Sequence, residues 1–213
     1  MKVEHRAADK RAFLGISRAV VLLLLWGLVL APSCGIFDTR DPEAPPNGGS
    51  ETPREQPVNV DAVFFNYVNA VLYFDQGNYE ETLADDFAFV PDPVDTLYFL
   101  STLGTNVLRN WGLDEELTAV GRIFSDSESL AVTLVEESRE EDSEQALIRL
   151  YYTFRQRIAR EAEEDSIATF KGFAEIHMRA DNSGFWSIDK WEDTEVSTEF
   201  FTWGRFKGNA TGG

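Results

Sequence analysis

The chain of 213 residues has one cysteine, two histidines and two methionines. A single cysteine excludes an internal disulfide, and so few sulfur and imidazole groups leave little with which to build a zinc site. No Gly-rich phosphate loop, paired-cysteine knuckle or His-Glu-x-x-His run is present, and no cofactor or metal is expected. Positive charge is scarce too: 19 Lys and Arg stand against 37 Asp and Glu, for a net charge of -18. That balance argues against nucleic acid or an anionic membrane surface as a partner, since both need a basic face. What the chain does have is 43% hydrophobic and 13% aromatic residues, enough for a sizeable core in one domain.

The N-terminal segment reads as an address. Lys2, Arg6, Lys10, Arg11 and Arg18 precede an apolar run of 13 residues, Ala19 to Ala31. This suits a secretory signal and falls short of the roughly 20 residues a spanning helix needs. The run leads into Leu30-Ala31-Pro32-Ser33-Cys34, which resembles the lipobox of bacterial lipoproteins. The resemblance implies lipidation (a palmitate-type acyl group) at Cys34 and a membrane-anchored place in the cell envelope, on the periplasmic face of the outer membrane in a Gram-negative cell. A cleaved secretory peptide, or an uncleaved anchor with Cys34 incidental, is the alternative. Residues 1–33 are thus expected as signal peptide and 34–57, rich in Pro, Gly and acid, as a disordered tether. Without residues 1–33 the chain keeps 14 basic and 35 acidic residues, about -21.

Residues 58–213 form the expected domain. Val60, Val63, Phe64, Tyr67, Val68, Val71 and Leu72 recur at three and four, the stripe of an amphipathic helix ending at Gly77. Further helices are expected from Tyr79 to about Phe87, from Leu97 to Asn110, and around Leu117 to Phe124. After Asp126 the period changes to two. Strands are expected around Leu130–Leu134, Ala146–Ala159, Ile167–Arg179 and from Trp186, with an edge strand over Phe200–Phe206. Helices followed by an antiparallel meander mean α+β.

That order, with Asn78-Tyr79 leading to Asp85-Asp86-Phe87-Ala88-Phe89 and the closing Trp186-Ser187-Ile188-Asp189-Lys190-Trp191-Glu192-Asp193, resembles the nuclear transport factor 2-like superfamily. The superfamily includes ketosteroid isomerase-like and polyketide cyclase-like proteins. The resemblance implies N-terminal helices on a strongly curved antiparallel sheet of four to six strands, wrapped as a cone around a pocket. Phe64, Tyr67, Tyr152, Phe154, Phe170 and Trp186 are the expected lining.

Strict alternation gives the interior only Tyr152 and Gln156 as polar groups on the two central strands, and sends Glu175 and His177 to the opposite face. A general base needs a titratable group within reach of substrate, so the expectation leans away from an enzyme. Asp85 and Asp86, with Asp92 and Asp95 in the Pro-containing loop, are alternative acid/base candidates. A register slip of one residue would add Glu175 and His177. Three readings stay open: a non-catalytic envelope lipoprotein binding a small apolar ligand or a partner protein, a structural lipoprotein forming a homodimer through its sheet, and an isomerase- or dehydratase-like enzyme.

Overall fold

The computed structural model describes residues 52–158 and 167–212; the expected signal peptide, Cys34 and the tether up to residue 51 lie outside them. Five helices and five strands follow in the order α1 (Val60–Tyr73), α2 (Gln76–Glu81), β1 (Leu83–Val90), α3 (Pro93–Leu103), α4 (Leu113–Asp126), β2 (Ser127–Glu141), β3 (Gln145–Ile158), β4 (Ile167–Ala180), β5 (Trp186–Thr194) and α5 (Trp203–Gly212). The strands form one curved, open sheet in the order β1-β5-β4-β3-β2, antiparallel except for the β1–β5 pair. The fold class is α+β, as expected.

Caps account for most helix ends. Asn59 accepts a hydrogen bond from the Ala62 amide and starts α1. The helix ends not at Gly77 but three residues earlier, where Phe74 turns left-handed (φ 57°) and packs on Phe124 at 5.7 Å. Asp75 caps α2 and Asp92 caps α3, with Pro93 in the first turn and Gly104 (φ 71°) closing it. The helix expected from Leu97 to Asn110 therefore sits earlier, at Pro93–Leu103.

Two elements differ in type. The second helix stops at Glu81, and Asp85 and Asp86 lie on strand β1, whose backbone pairs with β5 and with the Trp111–Gly112 turn. The expected edge strand at Phe200–Phe206 is mostly helix: only Phe201 bridges to Phe170, and Trp203 begins α5.

The packed unit also starts earlier than Val58. Thr52 donates to Asp75, Arg54 to Asn78, and Asn66 exchanges two hydrogen bonds with the Glu55 backbone; Pro57 accepts from the Trp186 amide. Residues 52–57 are a strap across α1, α2 and β5. Among the described residues, no helix is long and apolar enough to cross a membrane.

The helices cover one sheet face, and α5 turns back into the cone. Trp203 stacks on Phe154 (4.0 Å, 6°) and Phe206 on Phe170 (4.0 Å, 10°). Two side chains of α5 thus pack into the space expected to hold a ligand.

Candidate functional site

Besides Asp92, which caps α3, three carboxylates are buried, each from a different element: Asp95 on α3, Glu116 on α4 and Asp193 on β5. Burying a carboxylate is expensive unless it is paired and hydrogen-bonded. All three are satisfied by groups of the short stretch 202–207.

Asp193 accepts the Tyr152 hydroxyl at 2.5 Å and the Gly204 amide at 2.8 Å, and the Tyr152 oxygen in turn accepts the Trp203 amide at 2.9 Å. The carboxylate thereby meets the free N–H groups at the start of α5. Burial still dominates, and the Asp193 pKa is pushed up to about 7. Tyr152 is raised in its turn, by burial and then by the Asp193 charge.

Glu116 accepts Tyr79 Oη and Trp111 Nε1, both at 2.7 Å, and the Lys207 ammonium at 2.6 Å. The Lys207 nitrogen lies 3.3 Å above the Phe89 ring, with Trp111 and Trp203 at 5.4 and 5.6 Å. Burial holds its pKa below the ordinary lysine value, against the pull of Glu116. Asp95 accepts Arg205 Nε at 2.7 Å and the Thr202 hydroxyl, while Arg205 stacks over Tyr98 at 4.0 Å.

Tyr152 reaches Asp193 because its cross-strand partner on β4 is Gly172. A Cβ at 172 would fall on the phenol end of Tyr152, against its hydroxyl oxygen. Gly172→Ala should therefore displace Tyr152 and cost about 2–4 kcal/mol, the range of overpacked or broken core contacts; urea unfolding checks this, and an unchanged midpoint would refute it.

Of the expected lining, Phe64, Tyr67, Tyr152, Phe154 and Phe170 are buried in the interior. Trp186 is buried as well, at the edge of an open cleft of about 1070 Å³ that Arg54, Pro57, Glu81, Asp85 and Phe185 also line. Asp85 and Asp86 are exposed on β1, where Arg179 pairs with Asp86 and lowers its pKa. Glu175 pairs with Arg149 at 2.9 Å and His177 lies 3.5 Å from Glu192, all on the uncovered sheet face. No slip turns them inward.

The interior is more polar than alternation allowed. The β4–β5 register shifts between His177 and Met178, so that Asp189-Lys190 forms a bulge and the buried set on β5 becomes Trp186, Ile188, Trp191 and Asp193. Two tryptophans five apart, both belonging inside, were the available signal. Glu116, Arg205 and Lys207 carried none. Among the described residues no group of three side chains is placed to ligate a metal, and the buried carboxylates are engaged by the chain's own cations.

No protein-family model matches the chain, and no curated protein matches it in sequence. Solved structures match in fold. A conserved protein from Planctomyces limnophilus is similar at a TM-score of 0.51 and 16% identity, over 62% of this chain and 90% of that one. A proposed dehydratase of the nuclear transport factor 2-like family from Streptomyces avermitilis gives 0.49 and 11%, over 65% and 95%. A nuclear transport factor 2-like superfamily protein from Salmonella enterica gives 0.47 and 10%, over 64% and 88%. At these identities the likeness is one of fold: helices on an open, curved antiparallel sheet, the architecture that the resemblance in sequence implied.

Proposed function

We propose that the chain is a non-catalytic lipoprotein of the cell envelope, anchored through Cys34, whose domain binds a partner protein. The observation that carries this reading is the seating of α5. It fills the cone with Trp203 and Phe206, and it engages all three interior carboxylates. A site with its acid and base groups already paired offers no free group to a substrate, and a filled cone favours a protein partner over a small apolar ligand.

The surface this leaves for a partner is the uncovered sheet face. Val135, Tyr151 and Phe173 lie side by side across three strands, with Tyr151 and Phe173 in edge contact at 5.2 Å. Arg149, Arg155 and Arg157 from the same face of β3 flank them. An aromatic pair beside arginines has the composition of an interface core. A second copy of the chain is the structural alternative at this face.

Two measurements test the proposal. Cys34→Ala should move the protein from the membrane fraction to the soluble one, and a variant that stays membrane-bound refutes the anchoring. Native mass spectrometry of the full chain from its own host should show polypeptide plus covalent lipid alone. An additional few hundred daltons lost on denaturation would refute the filled cone and restore the small ligand. One observation favours the enzyme reading: Asp193, at about 7, beside Tyr152. It requires α5 to leave, and the same spectrum decides it.

A further inference from the structure

The longest stretch of this acidic chain's described surface without an exposed charge runs through α3 and the turn after it. From Pro93 to Leu108 the only carboxylate or cation is Asp95, which is buried. At the chain's 26% charged residues, 16 positions would carry about four. In their place stand exposed aliphatic side chains: Val94 at 46%, Leu97 at 64%, Leu100 at 44% and Leu103 at 48%, with Tyr98 beside them and Val90 at the end of β1. Only Asp95 and Phe99 of the helix are buried. An exposed apolar cluster of this kind marks a contact surface.

The shape of the cluster bears on what covers it. Residues three apart drift by about 60° per step, so the four aliphatic positions wrap about half the helix circumference. A partner groove takes a narrow seam at three- and four-residue spacing. A half-cylinder of aliphatic groups with a tyrosine at its side fits a medium that surrounds it. The chain before Thr52 supplies the position. It contains the apolar run Ala19–Ala31 behind a basic flank, and at most about 60 Å of extended chain separates residue 34 from the strap. A domain on that leash is never far from a bilayer.

We infer that α3 docks on the lipid bilayer, with Val94, Leu97, Leu100 and Leu103 entering the boundary between headgroups and acyl chains. This rests on the anchored reading above. The contact is apolar and uncharged, so it does not draw on anionic lipid, which repels a strongly acidic domain, and salt does not break it. Two weak attachments, the acyl chain at one end of the leash and α3 at the other, hold the domain flat on the membrane where either alone is reversible.

The test uses the full chain carrying Leu100→Cys, labelled with a polarity-sensitive fluorophore and added to vesicles of phosphatidylethanolamine with phosphatidylglycerol. If Cys34 is lipidated its sulfur is blocked, and the mass shows one label. Two labels mean that the anchoring reading fails while the α3 contact is still read separately, from Leu100→Cys in a Cys34→Ala background. The expected result is a blue shift of the emission on vesicles that persists in salt up to about 1 M. The same label at Thr133, on the uncovered sheet face, should not shift. Leu97→Asp in the Cys34→Ala background should weaken vesicle partition about tenfold, the worth of withdrawing one half-exposed leucine. An emission unchanged by vesicles overturns the inference. So does a blue shift that grows with protein concentration in the absence of lipid, which would assign the patch to a second copy.

Discussion

Lys207→Met should destabilise the domain by about 3–5 kcal/mol, the range for removing one partner of a buried ion pair. Methionine keeps the volume and length of the lysine stem, so the loss measures the stranded Glu116 charge more than a cavity. Tyr79 and Trp111 go on donating to Glu116, but neither carries a positive charge. The double variant Glu116→Gln with Lys207→Met should recover at least about 1 kcal/mol of that loss, because it leaves no uncompensated ion in the core. Urea unfolding of the parent, Glu116→Gln, Lys207→Met and the double variant gives the coupling directly. Additive effects would mean that the pair at 2.6 Å is not an interacting unit, and the account of how α5 is seated would fall. Hydrogen exchange adds a local readout: the amides of 203–212 should speed up in Lys207→Met more than those of β3 and β4.

Acidification from pH 8 to pH 5 should stabilise the protein, the reverse of ordinary acid denaturation. The cause is Asp193, raised by burial from an ordinary 3.8 to about 7. Between those values the folded domain holds a proton that the unfolded chain has released, so the contribution is complete below about 3.8 and lost as pH rises through about 7. At about 1.4 kcal/mol per pKa unit, the two units between about 7 and pH 5 are worth about 3 kcal/mol, or roughly 8 °C in midpoint for a domain of this size. The carboxylates held low by hydrogen bonds, Asp75 and Asp142 among them, lose their contribution only below the ordinary carboxylate range and do not oppose the rise at pH 5. Asp193→Asn should flatten the profile between pH 5 and 8. A profile as steep in the variant as in the parent would assign the effect to the surface charge instead.

Much of the sheet was legible because its signal is local. On β3 and β4 every other residue is apolar, and side chains on a strand alternate without exception until a bulge intervenes; that placed Tyr152 and Phe170 inside and Glu175 and His177 outside. On β5 strict alternation does not hold: one extra residue at Asp189-Lys190 reverses the phase and brings Asp193 inside with Trp191. Strand β1 was misread because Asp85-Asp86 looks like the end of a helix, whereas both carboxylates are tolerated on an exposed stretch at the edge of the sheet. Helix α5 was misread for a different reason. Phe200-Phe201-Thr202-Trp203 has the composition of a strand, and Gly204, Gly208 and Gly212 each weaken a helix by about 1 kcal/mol relative to alanine. Its helicity comes from tertiary contacts: the two ring stacks, the three carboxylates, and Arg122, which donates to the Ala210 and Thr211 carbonyls. Apart from Asp193 these neighbours lie far off in sequence, and the core of the candidate site was illegible with them.

The strap Thr52–Pro57 decides how a pull on the N-terminal chain would enter the domain. Its bonds to Asp75, Asn78, Asn66 and the Trp186 amide lie one after another along the segment. Tension from a point upstream therefore loads them singly, as in unzipping, where strands pulled in shear would share the force. The six residues lengthen the leash by about 20 Å as they peel, and the bonds that break are polar contacts at the rim of the fold. The last of these bonds, from the Trp186 amide, ties the strap to β5, so the domain meets mechanical stress first with a segment that can reseat when the pull relaxes.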